Sequence, residues 1–372
     1  MKIPLAKPYI DDKELKAVEE VLVSGRWSLG PKLQEFENKF KETIGTKYSV
    51  SVSSGTAGLH LCMECLNLNE GNEVITTPFS FVASSNPILF VHGKPIFADI
   101  DEKTYNIDPE KIQDAITSKT KAILPVHIFG QPCDMDSIMK TAEDSKLLVV
   151  EDACEAIKAE LNGRKVGTFG TSAVFSFYPN KQMATAEGGI IVTDDERTFK
   201  LCKSLSNQGR PEGDFWLAHE RLGYNYRFND VLAAIGLAQL EKLDGFIEAR
   251  EKIAKEYTKR LEKISGVIPP FVSPKVKHTW FLYVIRFEEG IDRDKAMKYL
   301  NEQGIQCKAY FPSIHLLPFY RKLFGFKEGD FPVSERVSKS TLALPFFVQL
   351  KDEEIDVVCE KIEEATSHAS KT

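Results

Sequence analysis

The chain has no surplus of basic residues: 48 Lys and Arg stand against 54 Asp and Glu, a formal charge of −6. No run of Lys and Arg is interleaved with aromatics, so nothing suits a phosphate backbone and nucleic acid is not an expected partner. Long apolar runs are missing as well. Nowhere do about 18 apolar residues follow one another, and Met1 to Pro8 lack the roughly 7 to 15 apolar residues of a signal-peptide core. These absences predict no membrane partner and a cytoplasmic location. The seven cysteines (Cys62, Cys65, Cys133, Cys154, Cys202, Cys307, Cys359) are scattered rather than paired, so neither a disulfide framework nor a metal site is expected. Cys62 and Cys65 do form a C-x-x-C, but inside the apolar helical pattern Leu59 to Leu66, where free cysteine packs as a small hydrophobe. Internal repeats and low-complexity segments are absent too.

What remains is an ordinary globular composition, 42% hydrophobic and 27% charged over 372 residues, long enough for roughly two domains. Asp11 and Asp12 can cap a first helix with Leu15, Val18 and Leu22 on one face, and Pro31 opens a second with Leu33, Phe36 and Phe40. Strand-like segments then alternate with helical ones, at Tyr48 to Val52, Val74 to Thr76, Pro95 to Ile100, Ala122 to Val126, Leu147 to Val150, Ala173 to Phe177 and Ile190 to Val192. That alternation predicts an α/β fold with a mostly parallel seven-stranded sheet flanked by helices. Several strands are continuous apolar runs, as expected where helices cover both faces.

A long amphipathic helix carries Phe246, Ile247, Arg250, Ile253, Tyr257 and Leu261 on one stripe and ends near Gly266 and Pro269-Pro270. The domain boundary is expected along it, giving a large domain at 1–250 and a smaller C-terminal α/β domain at 251–372. The latter should hold a strand at Thr279 to Phe287, a helix from Asp292 to Leu300, a second strand near Gln306 to Tyr310 and a terminal helix from Asp352.

Ligands of such sheets bind beyond the carboxyl ends of the strands. Asp152, Ser53 to Thr56, and Phe79 to Phe81 all fall just past a strand, so three separate segments point at one rim. Ser53-Ser54-Gly55-Thr56-Ala57 joins a strand to a helix whose free amides can take a phosphate, although small residues there also serve as plain turn chemistry. Lys181 lies in Phe175-Ser176-Phe177-Tyr178-Pro179-Asn180-Lys181, closed by Glu187-Gly188-Gly189. An amine, a carboxylate and a glycine turn are what pyridoxal phosphate chemistry requires: Lys181 can form a Schiff base with the cofactor, and Asp152 can keep the pyridine nitrogen protonated. Taken singly, Asp152 is also a helix cap and Lys181 a surface charge.

In their order along the chain, these motifs resemble the fold type I, pyridoxal phosphate-dependent sugar aminotransferases of the DegT/StrS kind, which act on nucleotide-linked keto sugars. The match runs from Ile3-Pro4-Leu5, Ser24-Gly25 and Gly30-Pro31 through Thr77-Pro78-Phe79-Ser80-Phe81 and Glu151-Asp152-Ala153. It continues over Gly223 to Arg227, Pro312, Ile314-His315 and Leu344-Pro345. The resemblance implies that Lys181 carries the cofactor and shuttles the proton, with Asp152 on the pyridinium nitrogen and Phe81 stacked on the ring. It also implies a phosphate cradle of Thr56 and Ala57 amides with the Ser176 hydroxyl, completed by Asn225 of a neighbouring subunit, hence a homodimer with a shared site. Without the family, Gly223 to Arg227 would read as a surface turn.

Two positions depart from the commonest pattern. Glu155 stands where many members have glutamine beside the phenolic oxygen, a choice similar to the perosamine-making branch; a second carboxylate there needs a proton or a cationic neighbour. Ala186 replaces a glycine, which costs stability if the backbone there requires φ > 0. Related sugar dehydratases have histidine at the Lys181 position, so Lys181 favours a complete aminotransferase cycle. Trp27, Tyr310 and His315 lie in segments that approach the sugar nucleotide in related proteins, and each could equally serve packing.

The expected activity is amino transfer from L-glutamate to a nucleotide-linked 4-keto-6-deoxy sugar, feeding polysaccharide or glycan synthesis. The alternatives are a 3-aminotransferase on a 3-keto sugar, a non-catalytic cofactor-binding regulator, and a generic amino acid aminotransferase. The last usually grips a carboxylate with a small-domain arginine, and Arg286, Arg293, Arg321 and Arg336 show no pattern tied to such a clamp.

Overall fold

The computed structural model describes residues 2–211, 213 and 217–370. Helix α1 (Asp12–Ser24) starts at a capping box in which Asp11 and Glu14 each accept the other's backbone N–H. Helix α2 (Pro31–Ile44) has no side-chain cap of its own. Its first amides are instead satisfied by the Asp230 carboxylate, which accepts from Gly30, Lys32 and Leu33 at 2.7 to 3.3 Å.

The central sheet contains β1 (Tyr48–Val52), β2 (Glu73–Thr76), β3 (Lys94–Phe97), β4 (Thr120–Leu124), β5 (Leu148–Asp152), β6 (Ser172–Ser176) and β7 (Gly189–Thr193) in the order β1-β7-β6-β5-β4-β2-β3. All neighbours are parallel except that β7 runs against both β1 and β6. This is the mostly parallel seven-stranded sheet that the alternation predicts. Its strands are almost wholly buried, so the apolar runs reflect cover on two faces.

Strand alternation sorts the side chains of β6. Phe175, and Phe177 just beyond the strand, point to α2, where they meet Phe36 and Phe40 at ring-centroid distances of 5.3 to 5.5 Å. Ser176, between them, faces the opposite way. Each of these buried phenylalanines contributes about 1.5 to 3 kcal/mol.

Helix α3 (Gly55–Cys65) follows β1 directly. The long helix α4 (Asp230–Leu261) spans both parts of the molecule: Leu243 and Ile247 join the core around Phe36 and Phe175, whereas Ile253, Ala254, Tyr257 and Leu261 join a second core. That second core is built on an antiparallel sheet of β8 (Val267–Ile268), β9 (Tyr283–Phe287) and β10 (Thr341–Leu344), with helices α5 (Arg293–Glu302) and α6 (Asp352–Ala369).

The structure departs from the sequence expectations at four places. In α1, Leu15 and Leu22 are 63% and 48% exposed, while Glu14 is buried. Polar pairing decides the packed face, because Glu14 is held by Lys242 and Gln239 of α4 at 2.6 to 2.8 Å. The strand expected over Thr279 to Phe287 begins only at Tyr283, since Trp280 adopts φ 53 and Thr279 and Phe281 bond to Gly130 and Phe129 instead. The strand expected near Gln306 to Tyr310 reduces to one bridge, Lys308 with Ala343, and Thr341–Leu344 takes the place in the sheet. Finally, Ile3 pairs with Ile305 and joins the small-lobe core, so the start of the chain crosses over rather than staying in the large lobe.

Candidate active site

The carboxyl ends of β1, β2, β5 and β6 open onto one cavity of about 430 Å³, lined among others by Ser54, Gly55, Thr56, Ser80, Phe81, Asp152, Ser176 and Lys181. Four segments from separate parts of the sequence thus converge, as the position of each just past a strand implies.

Asp152 ends β5 and is 4% exposed. Its Oδ2 accepts from Ser84 Oγ at 2.7 Å, its Oδ1 from the Cys154 amide at 3.1 Å, and Ser84 is itself bonded to Ser80 at 2.7 Å. These donors hold the carboxylate in one orientation at the cavity wall. Lys181 crosses the same space. Its Nζ lies 3.4 Å from Glu155 Oε1 and 3.8 Å from the centroid of the Phe281 ring, so it rests between a carboxylate and an aromatic face.

Glu155 is buried, and burial pushes its carboxyl above the usual range while the Lys181 ammonium pulls it down. The Phe129 amide donates to its other oxygen at 2.8 Å. Glu155 therefore has the cationic neighbour that a second carboxylate needs. The Cys154 thiol beside them is pushed well up, first by burial and then by Asp152, so it stays protonated.

The anion-binding corner lies at the start of α3. Ser54 Oγ caps the helix by accepting the Ala57 amide at 3.1 Å, which leaves Gly55 and Thr56 as the amides without an intrahelical acceptor. Of the expected pair, Thr56 lines the cavity beside Gly55, whereas the Ala57 amide donates to Ser54. A Cβ on Gly55 would sit 2.9 Å from Cys154 Sγ and 3.1 Å from Ser176 Cβ, so glycine is what lets the turn close on the Ser176 hydroxyl.

Of the remaining expected residues, Phe81 lines the cavity and is 61% exposed, and Tyr310 lines it from the small-lobe side. Trp27, His315 and Asn225 do not line it. Trp27 is 57% exposed and donates to Leu22 O at 3.1 Å. His315 is fully buried, bonded to Glu335 at 3.1 Å and set against the Phe331 ring, beside an apolar cluster that also holds Phe97 of β3. Asn225 is on the exposed surface of its own chain, opposite Asn207.

Arg286 and Arg336 both bond to Glu102, and Arg293 bonds to the carbonyls of Ser338 and Thr341, so none of these three turns to the cavity. Ser84 and Phe281, which also line the cavity, are barely marked in the sequence. The first carries a faint signal, a serine four residues after Ser80 past a strand end; the second carries none, because only the folded chain brings residue 281 beneath residue 181.

An amine and a carboxylate on one cavity, with two free helix amides and a hydroxyl at its end, fit pyridoxal phosphate: Lys181 for its aldehyde, Asp152 for its ring nitrogen, and Gly55, Thr56 and Ser176 for its phosphate. The model of the DegT/DnrJ/EryC1/StrS aminotransferase family matches residues 8–363. The chain is 39% identical to the spore coat polysaccharide biosynthesis protein SpsC of Bacillus subtilis, over 99% of this chain and 98% of that protein. It is 37% identical to a GDP-perosamine synthase of Escherichia coli O157:H7, over 97% and 98%. Among solved structures, Helicobacter pylori PseC, an aminotransferase involved in the biosynthesis of pseudoaminic acid, superimposes with a TM-score of 0.94 at 28% identity, over 99% of this chain and all of that one. The chain belongs to the DegT/DnrJ/EryC1/StrS aminotransferase family and is a pyridoxal phosphate-dependent sugar aminotransferase.

Proposed function

We propose that this enzyme transfers the amino group of L-glutamate to C4 of a nucleotide-linked 4-keto-6-deoxy sugar, in a route to a surface polysaccharide or another glycan. The observation that carries the choice of position is Glu155 opposite Lys181, the residue type that resembles the perosamine-making branch; the relative named GDP-perosamine synthase supports the same choice.

The bound cofactor supplies an electron-withdrawing ring and a temporary carrier for the amino group. The chain's own residues do the rest. Asp152, fixed by Ser84 and Cys154, presents a carboxylate of constant orientation, and Gly55, Thr56 and Ser176 hold an anionic group at the far end. Lys181, when free, moves a proton to and from the substrate carbon that bears nitrogen. Phe281 supports its amine from one side and Glu155 neutralises its charge from the other.

We further propose a homodimer whose site is completed across subunits. In the single chain, Leu15, Leu22, Val23, Trp27 and Leu29 form an exposed apolar set that a second copy would cover, and Asn225 is turned outward. We also propose a domain boundary at residues 250 and 251, a reading supported by α4 contributing Ile247 to one core and Ile253 to the other. The absence, among the described residues, of a helix long and apolar enough to cross a membrane is compatible with a cytoplasmic location.

Purified protein should turn over GDP- or dTDP-linked 4-keto-6-deoxy sugar with glutamate, and borohydride should trap a pyridoxyl group on Lys181. Turnover of neither sugar, with a 3-keto sugar accepted instead, would overturn the assignment of position. A missing adduct at Lys181 would overturn the catalytic assignment itself.

A further inference from the structure

Arg250 is a buried cation without an acidic partner. It lies on α4 where the helix leaves one core for the other, it is 5% exposed, and no carboxylate among the described residues is bonded to it. Buried charges are costly unless something on the chain compensates them. Three backbone carbonyls do so here: one terminal nitrogen donates to Trp280 O at 3.1 Å and Phe281 O at 3.2 Å, and the other to Lys181 O at 3.4 Å. Nε has no acceptor. Burial lowers its pKa to about 10, which leaves the group cationic at neutral pH.

The three carbonyls are not a random set. Lys181 carries the amine of the active site, and Phe281 carries the ring whose centroid lies 3.8 Å from that amine. One guanidinium thus grips the backbones of both partners from behind, while their side chains meet on the cavity side. Gln239, three helical turns earlier on the same face of α4, accepts from the Ala184 amide at 3.3 Å and so holds the next part of the lysine loop. Trp280 adopts φ 53, a conformation that needs outside support in a residue with a large side chain.

We propose that Arg250 is the positioning residue of the active-site lysine: its planar fork fixes the spacing between the Lys181 and Phe281 backbones, and thereby the seat of the Lys181 amine between Phe281 and Glu155. The shape of the group matters as much as its charge. A lysine at 250 keeps a cation but offers a single point of donors, which cannot reach carbonyls on two diverging segments with a fixed geometry.

The proposal rests on Lys181 being the reactive amine, so the test measures that separately. Full-length wild type, Arg250→Lys and Arg250→Met are purified, stripped of cofactor, and melted to establish folding. Pyridoxal phosphate is then added across a pH series, and the borohydride-trapped adduct at Lys181 is quantified against time by peptide mapping. Turnover is expressed per trapped Lys181.

In Arg250→Lys the expected result is a folded protein whose kcat per trapped lysine falls on the order of 10- to 100-fold, as loss of a near-attack geometry does. The donor KM should change little, and the pH profile of adduct formation should move. A purely structural role predicts a lower melting temperature with unchanged kcat per trapped lysine and an unchanged pH profile, and that pattern overturns the proposal. If Arg250→Met does not fold, Arg250→Lys decides the matter alone. A wild type that gives no Lys181 adduct removes the reading of Lys181 and this proposal together, whereas a normal wild-type adduct with unaffected variants removes only the role of Arg250.

Discussion

The last two residues of β5, Glu151 and Asp152, are adjacent carboxylates that face opposite sides of the sheet. Asp152 faces the cavity and has two donors, Ser84 and the Cys154 amide. Glu151 faces the interior and has four: the amides of Gly167, Phe169 and Gly170 at 2.8 Å each, and His127 Nε2 at 3.2 Å. His127 accepts the Cys133 amide on Nδ1, so its proton lies on Nε2 and points at Glu151. The two acids therefore do opposite work with the same chemistry. Every lone-pair direction of Glu151 is spent on organising the 167–170 turn, whereas Asp152 is oriented by just enough donors to remain directed at a ligand.

The largest expected effect lies on the interior side. Glu151→Gln turns one acceptor into a donor among four donors, and it should destabilise the fold by about 3 to 5 kcal/mol in urea titration, as breaking a buried pair does. Turnover per folded molecule should survive. Asp152→Asn should reverse the pattern. Its amide oxygen can still accept from the Cys154 amide while its nitrogen donates to the Ser84 hydroxyl, which can turn to donate to Ser80, so stability should fall by no more than about 1 kcal/mol, while kcat drops roughly 10²- to 10³-fold with loss of an oriented charge. If Asp152→Asn proved the less stable of the two, or Glu151→Gln the less active when folded, the division of labour between the faces of β5 would be wrong.

His278 sharpens the comparison, because it is an interior polar group whose role shows in a pH series without mutation. It is buried, accepts the Trp280 amide at 3.0 Å and stacks on the Trp280 ring, and burial pushes its pKa down to about 3. It is neutral in the folded protein, whereas the unfolded chain takes up a proton below about 6.5. Its contribution is thus complete above pH 6.5 and is lost as pH falls toward 3, at about 1.4 kcal/mol per pH unit. At pH 5 this amounts to about 2 kcal/mol, and denaturant titration of His278→Asn at pH 7.5 and pH 5 should show a correspondingly smaller loss on acidification.

What the sequence discloses follows the same division. The convergence on one cavity was legible because strand ends and a glycine turn leave local marks: Asp152, Ser176, Lys181 and the start of α3 all line it. The interior side was not, because its bonds join distant positions that no period reveals. Glu14 is buried on α1 only because Lys242 and Gln239 lie opposite it, and the Arg250 carbonyl hub exists only after residue 280 turns back toward residue 130. The place of His315 is hidden for the same reason: a histidine in a motif segment says nothing of the Glu335 that it meets.

The smallest effect is expected on the cavity side, at Ala186. Its φ is 75, in the left-handed region where the Cβ is crowded, and it directly precedes Glu187 on the cavity wall. The backbone there requires what glycine gives freely, so Ala186→Gly removes strain, although glycine also gains freedom in the unfolded chain. The balance should favour the variant by about 1 kcal/mol in denaturant titration. The interior side is stabilised by its polar groups, whereas this position carries strain at the rim of the site, which is where folds tolerate it. Equal turnover in the more stable variant would mean that the alanine strain does nothing for the reaction. A fall in kcat alongside the gain would mean that the restricted loop helps to hold Glu187 against the cavity, and the comparison would then extend from single carboxylates to the backbone that carries them.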